Sequence, residues 1–327
     1  MRDTAAAATI TPTRPVSEAP MIDAPFATVL TELGARRPEI VVLSADLSKY
    51  TDVAPFAEKY PNRFFQVGMA EANMLGIAGG LAKTGFLPVA VTYCVFATRR
   101  ACDQLQMALA TGNHTAIVAA FLPGITTPFR ASHQGTDDLA ITRAIPGMTI
   151  IDPMDATELA GALRAAVTVE GPVYLRGLRG MVAEIITPPS EFTIGATKLL
   201  RDGGDVGLIG TGLGSQWALE AATVLAGQGI GAAVLHAPTV KPFDAEAVAA
   251  FAARYGSVVT VENHSIVGGI GSAVAEALAE HGAATRLIRR GVPDRWAKAG
   301  TLDFIRADLG LDAAALAATA ADAAGGR

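Results

Sequence analysis

From residue 40 onward the chain alternates between short runs of apolar, often β-branched residues and longer stretches whose apolar positions recur every three or four residues. The short runs are IVVLSA (40–45), FFQVG (64–68), PVAVTY (88–93), TAIVAAF (115–121), MTIID (148–152) and PVYLR (172–176). Apolar runs of this length, bounded by turn residues, predict strands buried on both faces. Amphipathic helices are predicted near 25–36, 71–84, 95–110, 137–144 and 155–169. Buried strands in strict alternation with helices imply an α/β fold, a parallel sheet covered on both sides.

The rhythm breaks at TPPSEFTIGATKLL (187–200), with two prolines and a polar cluster, and restarts with DVGLIGTG (205–212), AAVLHAP (232–238) and SVVTVEN (257–263). The expected organisation is a doubly wound domain over 21–186, a linker over 187–200 and a smaller α/β domain over 201–312. Residues 1–20, rich in Thr, Pro and Ala, read as a disordered tail without the apolar core of a signal peptide. The Ala-rich end, 313–327, reads as a tail, either a terminal helix or frayed. No repeat of solenoid period is present.

Composition narrows the classes. Half of the 327 residues are hydrophobic, with a mean hydropathy of +0.35, but no unbroken apolar run of membrane-spanning length occurs. The surplus is Ala, Gly and Val, as expected for tight α/β packing or a large subunit interface. The net charge of −5 and the lack of a basic patch with interleaved aromatics argue against nucleic acid as a partner. The two cysteines, Cys94 and Cys102, read as reduced thiols of a cytoplasmic protein.

Two glycine clusters invite a nucleotide reading. GTGLGSQ (210–216) follows a strand and opens a helix, yet its third glycine position is Ser215, and Leu235 and His236 stand where an acidic strand end belongs. VGGIGSA (267–273) has the same look. Both read better as tight strand-to-helix turns. The five histidines include no pair at metal-ligand spacing, and no H-E-x-x-H, C-x-x-C or G-x-S-x-G is present. Metal-dependent and serine hydrolysis therefore lose support. What remains is Glu71 in VGMAEANMLGIAGGLA (67–82), His133 in ASHQGTDD (131–138), Arg176 and Arg179 in YLRGLRG (174–180), and the aromatics Tyr93 and Phe96. Glu71 opens a predicted helix, where an anion is favoured, so capping explains it. Its apolar surround raises a carboxyl's pKa, so a catalytic role also explains it.

The chain resembles the pyrimidine-binding and C-terminal domains of transketolase-like, thiamine-diphosphate-dependent enzymes, most of all the separate C-terminal subunit found where such an enzyme is split into two chains. The segments that carry the resemblance run from about residue 22 to 310. They include IVVLSADLSK (40–49), FFQVGMAEANMLGIAGGLAKTGFLPV (64–89), FATRRACDQLQ (96–106), SHQGTDDLAITRAIPGMTIIDP (132–153), GPVYLRGLRG (171–180), PTVKPFD (238–244), VENHSIVGGIGSAVAEAL (261–278) and GVPDR (291–295). The resemblance implies a pyrimidine-binding fold followed by a transketolase C-terminal fold, and transfer of a two-carbon ketol unit. It assigns Glu71 to N1′ of the cofactor's aminopyrimidine, where the carboxyl promotes removal of the thiazolium C2 proton. Tyr93 and Phe96 match the rings lining the aminopyrimidine pocket, with core packing as the alternative. His133 matches the histidine that contacts the substrate oxygen, a backbone-bonded loop histidine being the alternative. Arg179 matches a position that binds a substrate phosphate. Arg176, beside it, is a second candidate, with a surface salt bridge as the alternative for each arginine. Glu262 and His264 share the family look without a derivable role.

The family holds the cofactor's diphosphate through Mg²⁺ (or Ca²⁺) on a G-D-G motif. This chain has none, the nearest being Gly204-Asp205-Val206. The resemblance therefore implies a partner chain carrying the diphosphate domain and its metal, in an α2β2 assembly, with no metal ligands here. The substrate end departs from the pattern. Asp23 stands for an arginine and Tyr50 for a serine of the phosphate pocket, Phe121 for a histidine, and Pro128-Phe129-Arg130-Ala131-Ser132-His133 for P-D-G-x-x-H. Phe121 and Phe129 suit a less polar acceptor and Arg130 offers a new anion contact, so a non-standard small-molecule substrate, as in secondary metabolism, is expected. The alternatives are the β chain of a 2-oxo acid dehydrogenase or acyl-transferring complex, deoxyxylulose-phosphate-synthase-like ligation, a non-catalytic subunit, and a dinucleotide dehydrogenase.

Overall fold

The computed structural model describes residues 10–188 and 191–325. The six apolar runs become the strands Ile40–Ser44, Phe64–Gln66, Leu87–Tyr93, Ala116–Phe121, Thr149–Ile151 and Pro172–Gly177, all mutually parallel. Their spatial order is 149–151, 172–177, 116–121, 87–93, 40–44, 64–66. The central strands are buried at every position, because helices cover both faces. Along Leu87–Tyr93 the side chains alternate: Val89, Val91 and Tyr93 enter the cluster with Phe26, Leu30 and Leu159, while Ala90 enters the opposite one with Met74, Leu75 and Leu105. Pro25–Arg36 is a helix with proline in its first turn, presenting Phe26, Val29, Leu30 and Leu33 to the first cluster. The helix Ala156–Ala166 beside it starts at Asp155, whose carboxylate accepts from Glu158 N at 2.7 Å, while the Glu158 carboxylate reaches back to Met154 N at 2.9 Å.

The second sheet runs 286–292, 257–265, 206–210, 232–236, 198–201, with only Lys198–Arg201 antiparallel. Among the described residues five strands were not legible as apolar runs, two of them being the short antiparallel pair Met21–Asp23 and Met181–Ala183. Lys198–Arg201 begins in the expected linker and runs one residue past its end. Arg286–Val292 is an edge strand interrupted by three arginines. Thr239–Lys241 leaves the second domain and pairs antiparallel with Thr149–Ile151, so it closes the edge of the first sheet and locks the domains together.

The N-terminal segment differs from expectation, while the C-terminal one takes the helical of its two expected forms. Residues 10–20 are an ordered strap: Thr11 N donates to Leu199 O and Arg14 N to Ile185 O, both at 2.8 Å, and Arg14 pairs with Glu184 at 2.7 Å. An extended Thr/Pro segment has no periodicity of its own, and order comes to it from unpaired backbone groups on the chain it crosses. Residues 1–9 of the expected tail lie outside the described residues. Ala313–Gly325 is a helix burying Leu316, Ala317, Ala320 and Ala323 among Trp217, Ala221 and Leu225, a face shallow enough for alanine to pack. Among the described residues no helix is long and apolar enough to cross a membrane.

Candidate active site

Glu71 is the first residue of the helix Glu71–Lys83 and is 1% exposed. Its backbone place favours an anion, and its depth demands a partner. That partner is Arg100, whose Nη1 lies 3.0 Å from both carboxylate oxygens. Arg100 ends the π-helical turn Phe96–Arg100, which follows the strand carrying Tyr93. The wide turn sends adjacent arginines to different duties. Arg100 goes to Glu71 and sits 4.1 Å above the Phe96 ring. Arg99 forks onto Asp137 and donates to Ala131 O at 2.7 Å and Gln134 O at 3.2 Å.

The Tyr93 and Phe96 rings stack at 5.7 Å between centroids, and His133 stands 5.4 Å from Phe96 and 6.2 Å from Tyr93. Burial pushes the Tyr93 hydroxyl up from its ordinary pKa, with the nearby Arg179 charge working against it. Ser132 Oγ donates to Phe129 O at 2.8 Å, which uses its one proton, so His133 Nδ1, 2.9 Å away, donates to that oxygen. In the neutral ring Nε2 is then the open acceptor. Phe129 packs 5.2 Å from His133 and is 62% exposed. Arg130 is exposed, has no side-chain partner among the described residues, and holds φ at +57°, a left-handed value that costs an arginine about 1 kcal/mol. The exposed Arg179 lines a cleft of about 560 Å³ between the domains, with Leu122, Thr126, Leu213 and Leu302. A groove of about 750 Å³ between the helices Pro25–Arg36 and Ala156–Ala166 contains none of these residues.

Glu71, Tyr93, Phe96, His133 and Phe129 thus form one linked group, with Arg130 and Arg179 near it. Two expected substrate contacts stand elsewhere. Phe121 is fully buried, edge-on to Phe26 at 5.1 Å, because its strand turns that ring into the core. Arg176 is 1% exposed, neither a surface ion pair nor open to a substrate. Its Nε and Nη2 fork onto Asp138 at 2.9 and 2.5 Å, Nη1 reaches Asp152 at 3.2 Å and Asn263 O at 3.4 Å, and Tyr174 donates to Asp138 at 2.8 Å. Burial pushes the Asp138 carboxyl up, but the guanidinium outweighs it and holds the group below its usual range. Asp152, with the looser contact, stays above it, raised by burial.

The glycine turns are closed by the chain's own acids. Gly212, at φ +48°, lies against Asp152, where any Cβ would collide with that carboxylate. Glu262 accepts from Ile270 N at 2.8 Å and Gly271 N at 3.2 Å, filling the start of the helix Ile270–Glu280, and Gly269 has no room for a Cβ beside it. No helix start remains open there for a pyrophosphate. Burial pushes Glu262 up to about 8 and His264 down to about 4. His264 is neutral: Nδ1 donates to Ser265 O at 2.7 Å and Nε2 accepts from Ala140 N at 3.3 Å. Ser215, His236 and Glu158 form a hydrogen-bonded row with both contacts at 2.6 Å, but all three are sealed in the domain junction and 2% exposed or less, so they bind the domains and cannot meet a substrate. Among the described residues no three His, Cys, Asp or Glu side chains cluster as a metal site.

Sequence reasoning assigned no role to Arg99 or Arg100. The available signal was a charged pair inside an otherwise apolar helical run following the aromatic pair.

A buried helix-start carboxylate, a stacked aromatic wall and a neighbouring histidine thus stand on a parallel sheet joined to a second α/β domain. The transketolase pyrimidine-binding domain matches residues 19–184 and the transketolase C-terminal domain residues 195–316. The chain belongs to the transketolase family, whose members are thiamine-diphosphate-dependent transferases. It is 43% identical over 303 residues, 92% of this chain and 86% of the other, to a transketolase family protein, y4mN, of Sinorhizobium fredii. It is 42% identical over 289 residues, 88% and 89% of the two chains, to the 6-deoxy-6-sulfo-D-fructose transketolase subunit SqwH of a Clostridium species. A solved structure described as a split-gene transketolase, inactive β4 tetramer, superposes with a TM-score of 0.83 at 37% identity, covering 91% of this chain and 96% of that one.

Proposed function

We propose that this chain is one subunit of a split transketolase that moves a two-carbon ketol unit from a ketose-type donor to an acceptor. Its thiamine diphosphate is held between this chain and a partner subunit that carries the diphosphate-binding domain and its Mg²⁺, in an α2β2 complex. The observation that carries the reading is Glu71, only 1% exposed and linked through one guanidinium to the Phe96 face, with His133 5.4 Å from that ring. These residues fit an aminopyrimidine: a carboxylate to meet a ring nitrogen and a flat apolar wall to take the ring. When bound, thiamine diphosphate supplies the electron sink for breaking a carbon–carbon bond beside a carbonyl.

The chain's own residues do the rest. Glu71 holds a proton shared with the pyrimidine, Tyr93 and Phe96 exclude water from it, and His133 presents Nε2 to a substrate hydroxyl or carbonyl oxygen. Arg179 and Arg130, both without side-chain partners among the described residues, read an anionic end of the substrate, a phosphate or a sulfonate. The relative named for a sulfonated ketose supports that end being open to variation.

The test is co-purification with the diphosphate-domain subunit, then assay with thiamine diphosphate and Mg²⁺ against phosphorylated and sulfonated ketoses. Glu71→Gln should lower turnover at least about 100-fold, and full activity in that variant would sink the reading. Turnover of xylulose 5-phosphate with ribose 5-phosphate at ordinary transketolase efficiency would refute the non-standard substrate.

A further inference from the structure

Arg100 makes two contacts at once. Its Nη1 meets both Glu71 oxygens at 3.0 Å, and its flat guanidinium lies 4.1 Å over the Phe96 ring. Among the described residues its other guanidinium nitrogens have no partner, and its side chain is 52% exposed. A planar, delocalised cation that donates an N–H to Glu71 and rests a face on Phe96 has the shape and polarity of one edge of an aminopyrimidine ring. Those are the two contacts that the proposed cofactor reading assigns to the same two residues, and this inference rests on that reading.

We infer that Arg100 is a stand-in for the cofactor ring: it occupies the pyrimidine slot of the subunit without cofactor and must leave before thiamine diphosphate can enter. Glu71 and the Phe96 face can take one flat group at a time. Without a counter-ion, Glu71 would be a buried, unpaired charge in a chain waiting for its partner. Arg100 supplies that charge from a position that lets it withdraw. It is half in solvent and closes a π-helical turn, whereas its neighbour Arg99 is pinned to Asp137 and to the backbone of residues 131 and 134. The turn therefore stays put when Arg100 swings away. Part of the cofactor's binding free energy goes into breaking this pair, so the pair sets how readily the empty subunit loads.

The experiment is a double-mutant cycle with Glu71→Gln, Arg100→Met and the double variant, read in two states. In the isolated full-length chain, urea unfolding should show Arg100→Met destabilised and the double variant largely recovered, a coupling of at least about tenfold in the unfolding constant. In the complex with the diphosphate-domain subunit, calorimetric titration with thiamine diphosphate and Mg²⁺ should show Arg100→Met binding as tightly as wild type or about 3- to 10-fold tighter. Arg100→Lys keeps the charge without the flat fork; it should fall between, and serves if Arg100→Met does not fold. No coupling in the isolated chain overturns the inference. Tenfold weaker cofactor binding by Arg100→Met also overturns it, since Arg100 would then belong to the loaded site while the Glu71 reading stands. Undiminished binding by Glu71→Gln would remove the cofactor reading and this inference with it.

Discussion

Arg99 forks onto Asp137, with Nε 2.9 Å and Nη2 2.8 Å from the two carboxylate oxygens, and its remaining donors hold the backbone on both sides of His133. The second domain braces the same segment: Ser265 N donates to Thr136 O at 2.8 Å, and the Trp296 ring lies 5.5 Å from the Arg99 guanidinium. Arg99 and the second domain thus fix the loop that carries His133, which the proposed function places at the substrate. Arg99→Ala should lower kcat/KM about 10- to 100-fold in the reconstituted complex. The pair is partly exposed, so stability should fall only about 1 kcal/mol. Steady-state kinetics beside a urea melt separates the two effects, and equal loss in both would show a merely structural role.

Arg176 and Asp138 behave oppositely, being fully buried. Arg176→Met strands Asp138 and Asp152 inside the domain junction and should cost about 3–5 kcal/mol. Adding Asp138→Asn should restore much of it. A shift in the urea midpoint of under about 1 kcal/mol for the single variant would contradict the geometry.

The buried His264 and Glu262 give stability a pH optimum. His264 is held down at about 4, so an unfolded chain takes up its proton near 6.5 while the folded one does not. Stability is therefore lost as pH falls from 6.5 towards 4, by at most about 3 kcal/mol. Glu262 has the reverse sign: raised to about 8, it stabilises fully below about 4.5 and less as pH climbs towards 8. In Glu262→Gln the urea midpoint should rise from pH 4 to about 6.5 and stay level above it, and in His264→Gln it should stay level up to about 4.5 and fall towards pH 8. Unchanged profiles would dismiss both groups.

Arg130 keeps a left-handed backbone at its own expense. Arg130→Gly removes that strain but loosens the unfolded chain, so stability should stay within about 1 kcal/mol of wild type. If the side chain reads an anion, KM for a phosphorylated or sulfonated substrate should rise about tenfold with little change in kcat. An unchanged KM would exclude that role.

Gly212→Ala should destabilise by at least about 2 kcal/mol, because the left-handed φ and the Asp152 carboxylate both oppose a Cβ. A melt at wild-type temperature would show that the turn yields.

The central strands and main helices were legible because burial on two faces writes an unbroken apolar run and burial on one face writes a helical period. Ile40–Ser44, Ala116–Phe121 and Pro25–Arg36 carry that mark in a single segment. Glu71, Tyr93, Phe96 and His133 stood out as polar or aromatic positions in apolar or loop settings, and the resemblance supplied their chemistry. Arg176 misled because a guanidinium after a strand looks the same whether it meets a substrate or Asp138. Phe121 misled because its position in the strand does not say which wall the ring faces. The strap over residues 10–20, the strand Thr239–Lys241 and the Arg100 contact were decided by tertiary structure alone. Each depends on groups far away in sequence: unpaired backbone at Ile185 and Leu199, an open sheet edge at Thr149–Ile151, and a buried carboxylate that needs a positive charge. Local periodicity reports burial, whereas partner choice is set only when the chain has closed on itself.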